Sequence, residues 1–149
     1  MSNKKILIAA DHAGVEMKAE VERILRARGV EYEDMGSNTK DSVDYADYAH
    51  PLAEKISKGE AEQGILLCGT GLGMSYAANR HPGVRAAVSW APEIAALARQ
   101  HNDANVLVLP ARFVSKEQAD EIVGAFLNSK FEGGRHERRV EKIELTDPQ

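Results

Sequence analysis

Short apolar runs punctuate the chain, separated by stretches whose apolar residues recur at helical spacing. The first run, Ile6 to Ala10, is unbroken, as in a strand buried on both faces. It stops at Asp11-His12. Val15 to Arg28 then sets Val15, Ala19, Val21, Ile24 and Leu25 near one face of a helix, with Gly29 as the stop signal. A weaker strand, Glu31 to Met35, leads through the polar loop Gly36 to Asp44 into a helix from about Asp47 to Lys58. Pro51 is tolerable there only in the first turn. Gly64 to Cys68 reads as the next buried strand, Thr70 to Asn79 as a helix after a glycine-rich turn, and Arg85 to Ser89 as another strand. Pro92 and Glu93 suit a helix start. Asn105 to Leu109 is a fifth strand, Ser115 with Gln118 forms a capping-box pattern for a helix to about Asn128, and Gly133-Gly134 precede a last helix.

Strands alternating with helices, without hairpin signals, imply right-handed crossovers. The predicted class is α/β: a doubly wound, Rossmann-like three-layer sandwich around a parallel sheet of about five strands. With 149 residues and 43% hydrophobic content, the chain is expected to form one domain over 1–149, its last helix starting near residue 135.

A net charge of -4 repels a polyanion, which excludes nucleic acid as a partner and requires any phosphate site to be local. One cysteine cannot close an intrachain disulfide, so the chain is expected in the reducing cytoplasm. Lys4 and Lys5 precede an apolar run that Asp11 ends too early for a signal peptide. No run is long enough to span a bilayer, and no membrane partner is expected.

Ligands of such sheets bind beyond the carboxyl ends of the strands. Those ends carry Asp11-His12, Cys68 with its glycines, Ser89-Trp90 and, soon after the fifth strand, Arg112. Gly69, Gly71 and Gly73 give GxGxG rather than a dinucleotide GxGxxG, and no GxxxxGK follows. Met74 takes the place of the missing glycine, and also of the arginine a low-molecular-weight tyrosine phosphatase needs six residues after its cysteine.

What remains is a thiol at the mouth of a loop whose amides can converge on an anion, a geometry that stabilises an enediolate. The helix dipole is expected to lower the thiol's pKa. The competing reading is a small buried residue closing a core strand. Arg135 and Arg139, four apart, share a helix face suited to phosphate, or alternatively a solvated face paired with Glu137 and Glu141. The five histidines form no zinc motif, and no metal is expected. His101 closes a helix, either as a partner of its dipole or as an acid/base.

The motifs Ala10-Asp11-His12-Ala13-Gly14, Asp44-Tyr45, Cys68-Gly69-Thr70-Gly71-Leu72-Gly73-Met74-Ser75, Ala77-Ala78-Asn79, Arg99-Gln100-His101-Asn102-Asp103-Ala104-Asn105 and Gly133-Gly134-Arg135-His136 together resemble the ribose-5-phosphate isomerase B family, from about Lys5 to Ile143. The resemblance implies interconversion of ribose 5-phosphate and ribulose 5-phosphate without metal or organic cofactor. It implies His101 in ring opening, Asp11 on the sugar hydroxyls, and Cys68 moving a proton between C2 and C1. Thr70 and the amides of Gly69, Gly71, Leu72 and Gly73 would hold the oxyanion. His12, Arg112, Arg135 and Arg139 would bind phosphate, with Tyr45 and Asn102 lining the sugar pocket. Some members carry the base as a glutamate at the position of Met74, so this chain resembles the cysteine-dependent type. The family builds its sites at a dimer interface, which implies a homodimer, with pairing into a tetramer as an extension. Its wider group acts on galactose 6-phosphate and other aldose phosphates, and a non-catalytic phosphosugar sensor is the alternative of a different class.

Overall fold

A computed structural model describes residues 5–145; Lys4 of the basic N-terminal pair lies outside them. Five strands form one all-parallel sheet: β1 (Ile6–Ala10), β2 (Tyr32–Asp34), β3 (Gln63–Cys68), β4 (Ala86–Val88) and β5 (Val106–Pro110), in the order β2-β1-β3-β5-β4. Six helices accompany them among the described residues: α1 (Val15–Ala27), α2 (Ala46–Ser57), α3 (Leu72–Ala78), α4 (Pro92–Asn102), α5 (Lys116–Asn128) and α6 (Arg135–Glu141).

Strand pleating sorts the core into two layers, because successive side chains point to opposite faces. Ile6, Ile8, Ala10, Ile65, Leu67, Leu107 and Leu109 meet α1 and α5 on one side. Leu7, Ala9, Leu66, Cys68, Val106 and Val108 meet α2 and α3 on the other. This two-sided burial explains why β1, β3 and β5 read as unbroken apolar runs.

Most expected elements form within a residue or two of their sequence bounds, and the Ser115/Gln118 capping box is complete in both directions. Three details differ. Pro51 lies in the second turn of α2, which begins at Ala46, where its exposed position tolerates the absent N–H. Thr70 is outside α3, because Gly71 adopts a left-handed φ of 80° and the helix starts at Leu72. On α1, Ala19 is exposed and Lys18 is buried in its stead. The Lys18 ammonium donates to Asp34 Oδ2 at 2.8 Å and Asn38 Oδ1 at 2.9 Å, with Glu22 at 3.5 Å. Hydropathy alone cannot see this inward cation, which is tolerated because carboxylates surround it.

Candidate active site

The carboxyl edge of the sheet is laced together by backbone hydrogen bonds. The Asp11 amide donates to Leu67 O at 3.1 Å, Ala111 N–H to Cys68 O at 2.9 Å and Arg112 N–H to Gly69 O at 3.0 Å. Ser89 N–H reaches Val108 O at 3.0 Å. These bonds hold the Asp11-His12 turn, the Cys68 glycine turn and the segment carrying Arg112 against one another.

Gly14 closes the first of these contacts. A Cβ there would stand 2.8 Å from Leu67 Cβ and 2.9 Å from Leu67 O, so only glycine lets the short turn after β1 lie flat on β3. Asp11, buried, caps that turn by accepting from the amides of Ala13 at 2.9 Å and Gly14 at 3.3 Å. His12 Nδ1 accepts from Val43 N–H at 3.1 Å, which leaves the ring proton of the neutral imidazole to Nε2. His12 and Arg112 line a cavity of about 450 Å³ together with residues of α1 and Lys116.

Cys68 ends β3, 4% exposed, with the backbone amides of Met74, Gly71 and Thr70 close enough to lower its thiol's pKa. The expected fall in its pKa does not occur. Burial pushes the thiol above its ordinary 9.0 and the Asp11 carboxylate adds to the rise, outweighing the three amides. The cysteine is thus core-packed at the mouth of a turn that gathers backbone amides around it. Thr70 Oγ1 accepts from Leu72 N–H at 3.1 Å, which shapes the turn. The Arg112 side chain lies over Gly69, and the Tyr45 ring lies on Gly73, where a Cβ would come within 2.6 Å of it.

His101, Asn102, Arg135 and Arg139 are elsewhere. Helix α4 runs back from the carboxyl edge, so its last turn lies at the strand starts: Gly64 N–H donates to Asn105 O at 2.9 Å, and Arg85 Nε to Asp103 O at 2.8 Å. Gly64 and Cys68 are about 13 Å apart along β3. Helix α6 joins this opposite end, because Glu132 N–H donates to Gln100 O at 3.0 Å and His136 stacks on His101 with centroids 4.2 Å apart. Among the described residues neither Arg135 nor Arg139 forms an ion pair, so pairing with Glu137 and Glu141 is not what holds them. In the sequence His136 stood out only as a motif histidine without a metal pattern and Glu132 not at all, although their i,i+4 spacing was the available signal.

A family model described as Ribose/Galactose Isomerase matches residues 6–143. The chain belongs to this family. It is 47% identical over 140 residues to ribose-5-phosphate isomerase B of Escherichia coli, covering 94% of each chain. A ribose 5-phosphate isomerase from Thermotoga maritima superposes with a TM-score of 0.92 at 53% identity, covering 96% of this chain and 99% of that one. Ribose-5-phosphate isomerase B of Mycoplasma genitalium, solved with bound ribulose-5-phosphate, gives 0.91 at 43% identity, covering 96% of this chain and 95% of that one. No helix among the described residues is long and apolar enough to cross a membrane.

Proposed function

We propose that the protein interconverts D-ribose 5-phosphate and D-ribulose 5-phosphate, with each active site completed by a second copy of the chain. The observation that carries the reading is the turn that aims three backbone amides at the one thiol, beside a buried Asp11. Such donors can also stabilise the oxyanion of an enediolate as charge develops on it. The separation of His101, Asn102, Arg135 and Arg139 from Cys68 supports the shared site, since one chain holds the two groups at opposite ends of its sheet.

In this mechanism His101 takes the proton of the C1 hydroxyl and delivers it to the ring oxygen as the bond between C1 and that oxygen breaks, which opens the furanose to the aldehyde. The Cys68 thiolate then removes the proton at C2, and the electron pair passes into the carbonyl to give the enediolate. The 2-hydroxyl proton passes to O1 and the Cys68 proton to C1, which yields the ketose and restores the thiolate. Thr70 and the amides of Gly69, Gly71, Leu72 and Gly73 hold the oxygens, Asp11, Tyr45 and Asn102 place the hydroxyls, and His12, Arg112, Arg135 and Arg139 bind the phosphate. Because burial keeps the thiolate a minority at neutral pH, kcat rises with pH through the weakly alkaline range. The reaction belongs to a metabolic enzyme of the cytoplasm and needs no metal or organic cofactor in this scheme.

Following ribulose 5-phosphate after adding ribose 5-phosphate to purified protein tests the reading; absent turnover, or full turnover by Cys68→Ala, would overturn it. Mixing inactive Cys68→Ala with inactive His101→Asn, under conditions that exchange subunits, tests the shared site. Recovery of activity is expected, because a mixed pair retains one intact site. No recovery despite proven exchange would place each site within one chain.

A further inference from the structure

His101 does not stand alone. Its ring lies flat on that of His136, with an interplanar angle of 14° and centroids 4.2 Å apart. The Glu132 carboxylate serves both, with Oε1 3.9 Å from His101 Nε2 and 3.8 Å from His136 Nε2. The backbone fixes this arrangement, since Glu132 N–H donates to Gln100 O at 3.0 Å and His136 N–H to Gly133 O at 3.0 Å. Parallel rings cannot both point a lone pair at one ion, because a metal lies in the plane of each imidazole it binds. The stacked rings are therefore a poor metal seat, although the three ligand atoms lie within 4.8 Å of one another.

We propose that Glu132 and His136 are positioning residues for His101: the carboxylate supports one imidazolium and the stacked ring fixes the plane of the histidine that opens the sugar. This rests on the isomerase reading above. Two imidazolium rings face to face repel, and one carboxylate balances one of them. The two histidines differ in surroundings. Burial first, then His101, Arg135 and Arg139, hold His136 below the ordinary 6.5, against the opposite pull of Glu132. His101 is 37% exposed and His136 11%. His101 is thus the ring at the rim, and the more buried His136 serves as a flat support behind it.

The test separates ring opening from proton transfer at carbon. Ribose 5-phosphate is cyclic and must be opened. Ribulose 5-phosphate, its 5-hydroxyl esterified, is acyclic, and its C1 proton exchanges with D2O through Cys68 alone. Glu132→Gln is expected to lower kcat/KM for ribose 5-phosphate about tenfold more than it lowers deuterium wash-in into ribulose 5-phosphate. His136→Phe, which keeps a flat ring, should restore most of what His136→Ala loses. Equal losses in the two reactions, or a phenylalanine no better than alanine, would overturn the proposal. Failure of the isomerase reading itself looks different, since the native protein would then show neither turnover nor wash-in.

Discussion

Replacing Gly14 by alanine probes how the turn after β1 is held to the site. The backbone permits the change, because Gly14 has φ -102° and ψ 1°. The space does not: the new methyl would stand 2.8 Å from Leu67 Cβ and 2.9 Å and 3.0 Å from the carbonyl atoms of the same residue. These are atoms of a central strand, one residue before Cys68, and they cannot swing aside. Overpacking of this kind costs about 1–3 kcal/mol, and the smaller entropy of the unfolded alanine chain returns about 0.4–1 kcal/mol. The net loss, up to about 2.6 kcal/mol, should lower the melting temperature by up to roughly 10 °C for a domain of this size. Relief requires the turn to lift off β3, which carries Asp11 with it, so kcat should fall even at temperatures where the protein stays folded. Gly69→Ala is the matched control. Its methyl would meet Arg112 Nη1 at 3.0 Å, the far end of an exposed side chain that can move. That variant should keep its melting temperature within about 1–2 °C and raise KM through the displaced guanidinium. Differential scanning calorimetry with steady-state kinetics on both variants decides the matter. An unchanged Tm and kcat for Gly14→Ala would refute the close-contact argument.

Lys18→Ala should destabilise by about 3–5 kcal/mol in urea unfolding, because Asp34 and Glu22 would face each other without their cation; Lys18→Met leaves the same unpaired carboxylates and should recover only the packing part of that loss. Burial raises the Asp34 pKa but the hydrogen bonds from Lys18 and the Gly36 amide, with the Lys18 charge, lower it further, leaving it below 3.8. A depressed carboxylate stabilises the fold above its unfolded pKa, and that contribution is lost as pH falls through the folded value; acid unfolding curves of Lys18→Met should therefore be shallower below pH 4 than those of the native protein. Iodoacetamide should label Cys68 slowly at neutral pH and faster beyond pH 9, and Asp11→Asn should speed labelling at every pH below that; a rate unaffected by Asp11→Asn would exclude the carboxylate as a cause of the raised thiol pKa. Ser115→Ala removes one half of the capping box and should cost about 1 kcal/mol in equilibrium unfolding.

The fold was readable because β1, β3 and β5 are covered on both faces, so their apolar runs carry no competing helical pattern. Helix ends marked by Gly29, Pro92 and Ser115 were equally plain, since each acts through its own backbone or cap. Lys18 was not readable, because its burial depends on Asp34 and Asn38, 16 and 20 residues away. The same limit applies to Cys68. Its place at a strand end and the glycines after it are local facts, but the balance between burial and three amides depends on packing by α2, α3 and Asp11. The family motifs named His101 as a site residue, and only the course of α4 placed it at the opposite end of the sheet from the thiol.

The pleat of β3 has one more consequence. By sending Leu67 toward α1 and α5 and Cys68 toward α2 and α3, it sets the cavity beside His12 and the packing of the thiol against different walls of the protein. His12 and Arg112 open on the α1 and α5 wall, while the thiol rests on the other. Substitutions on the α1 and α5 wall can therefore reshape that cavity while the helices packed on the thiol keep their places. The sheet acts as a partition between the two.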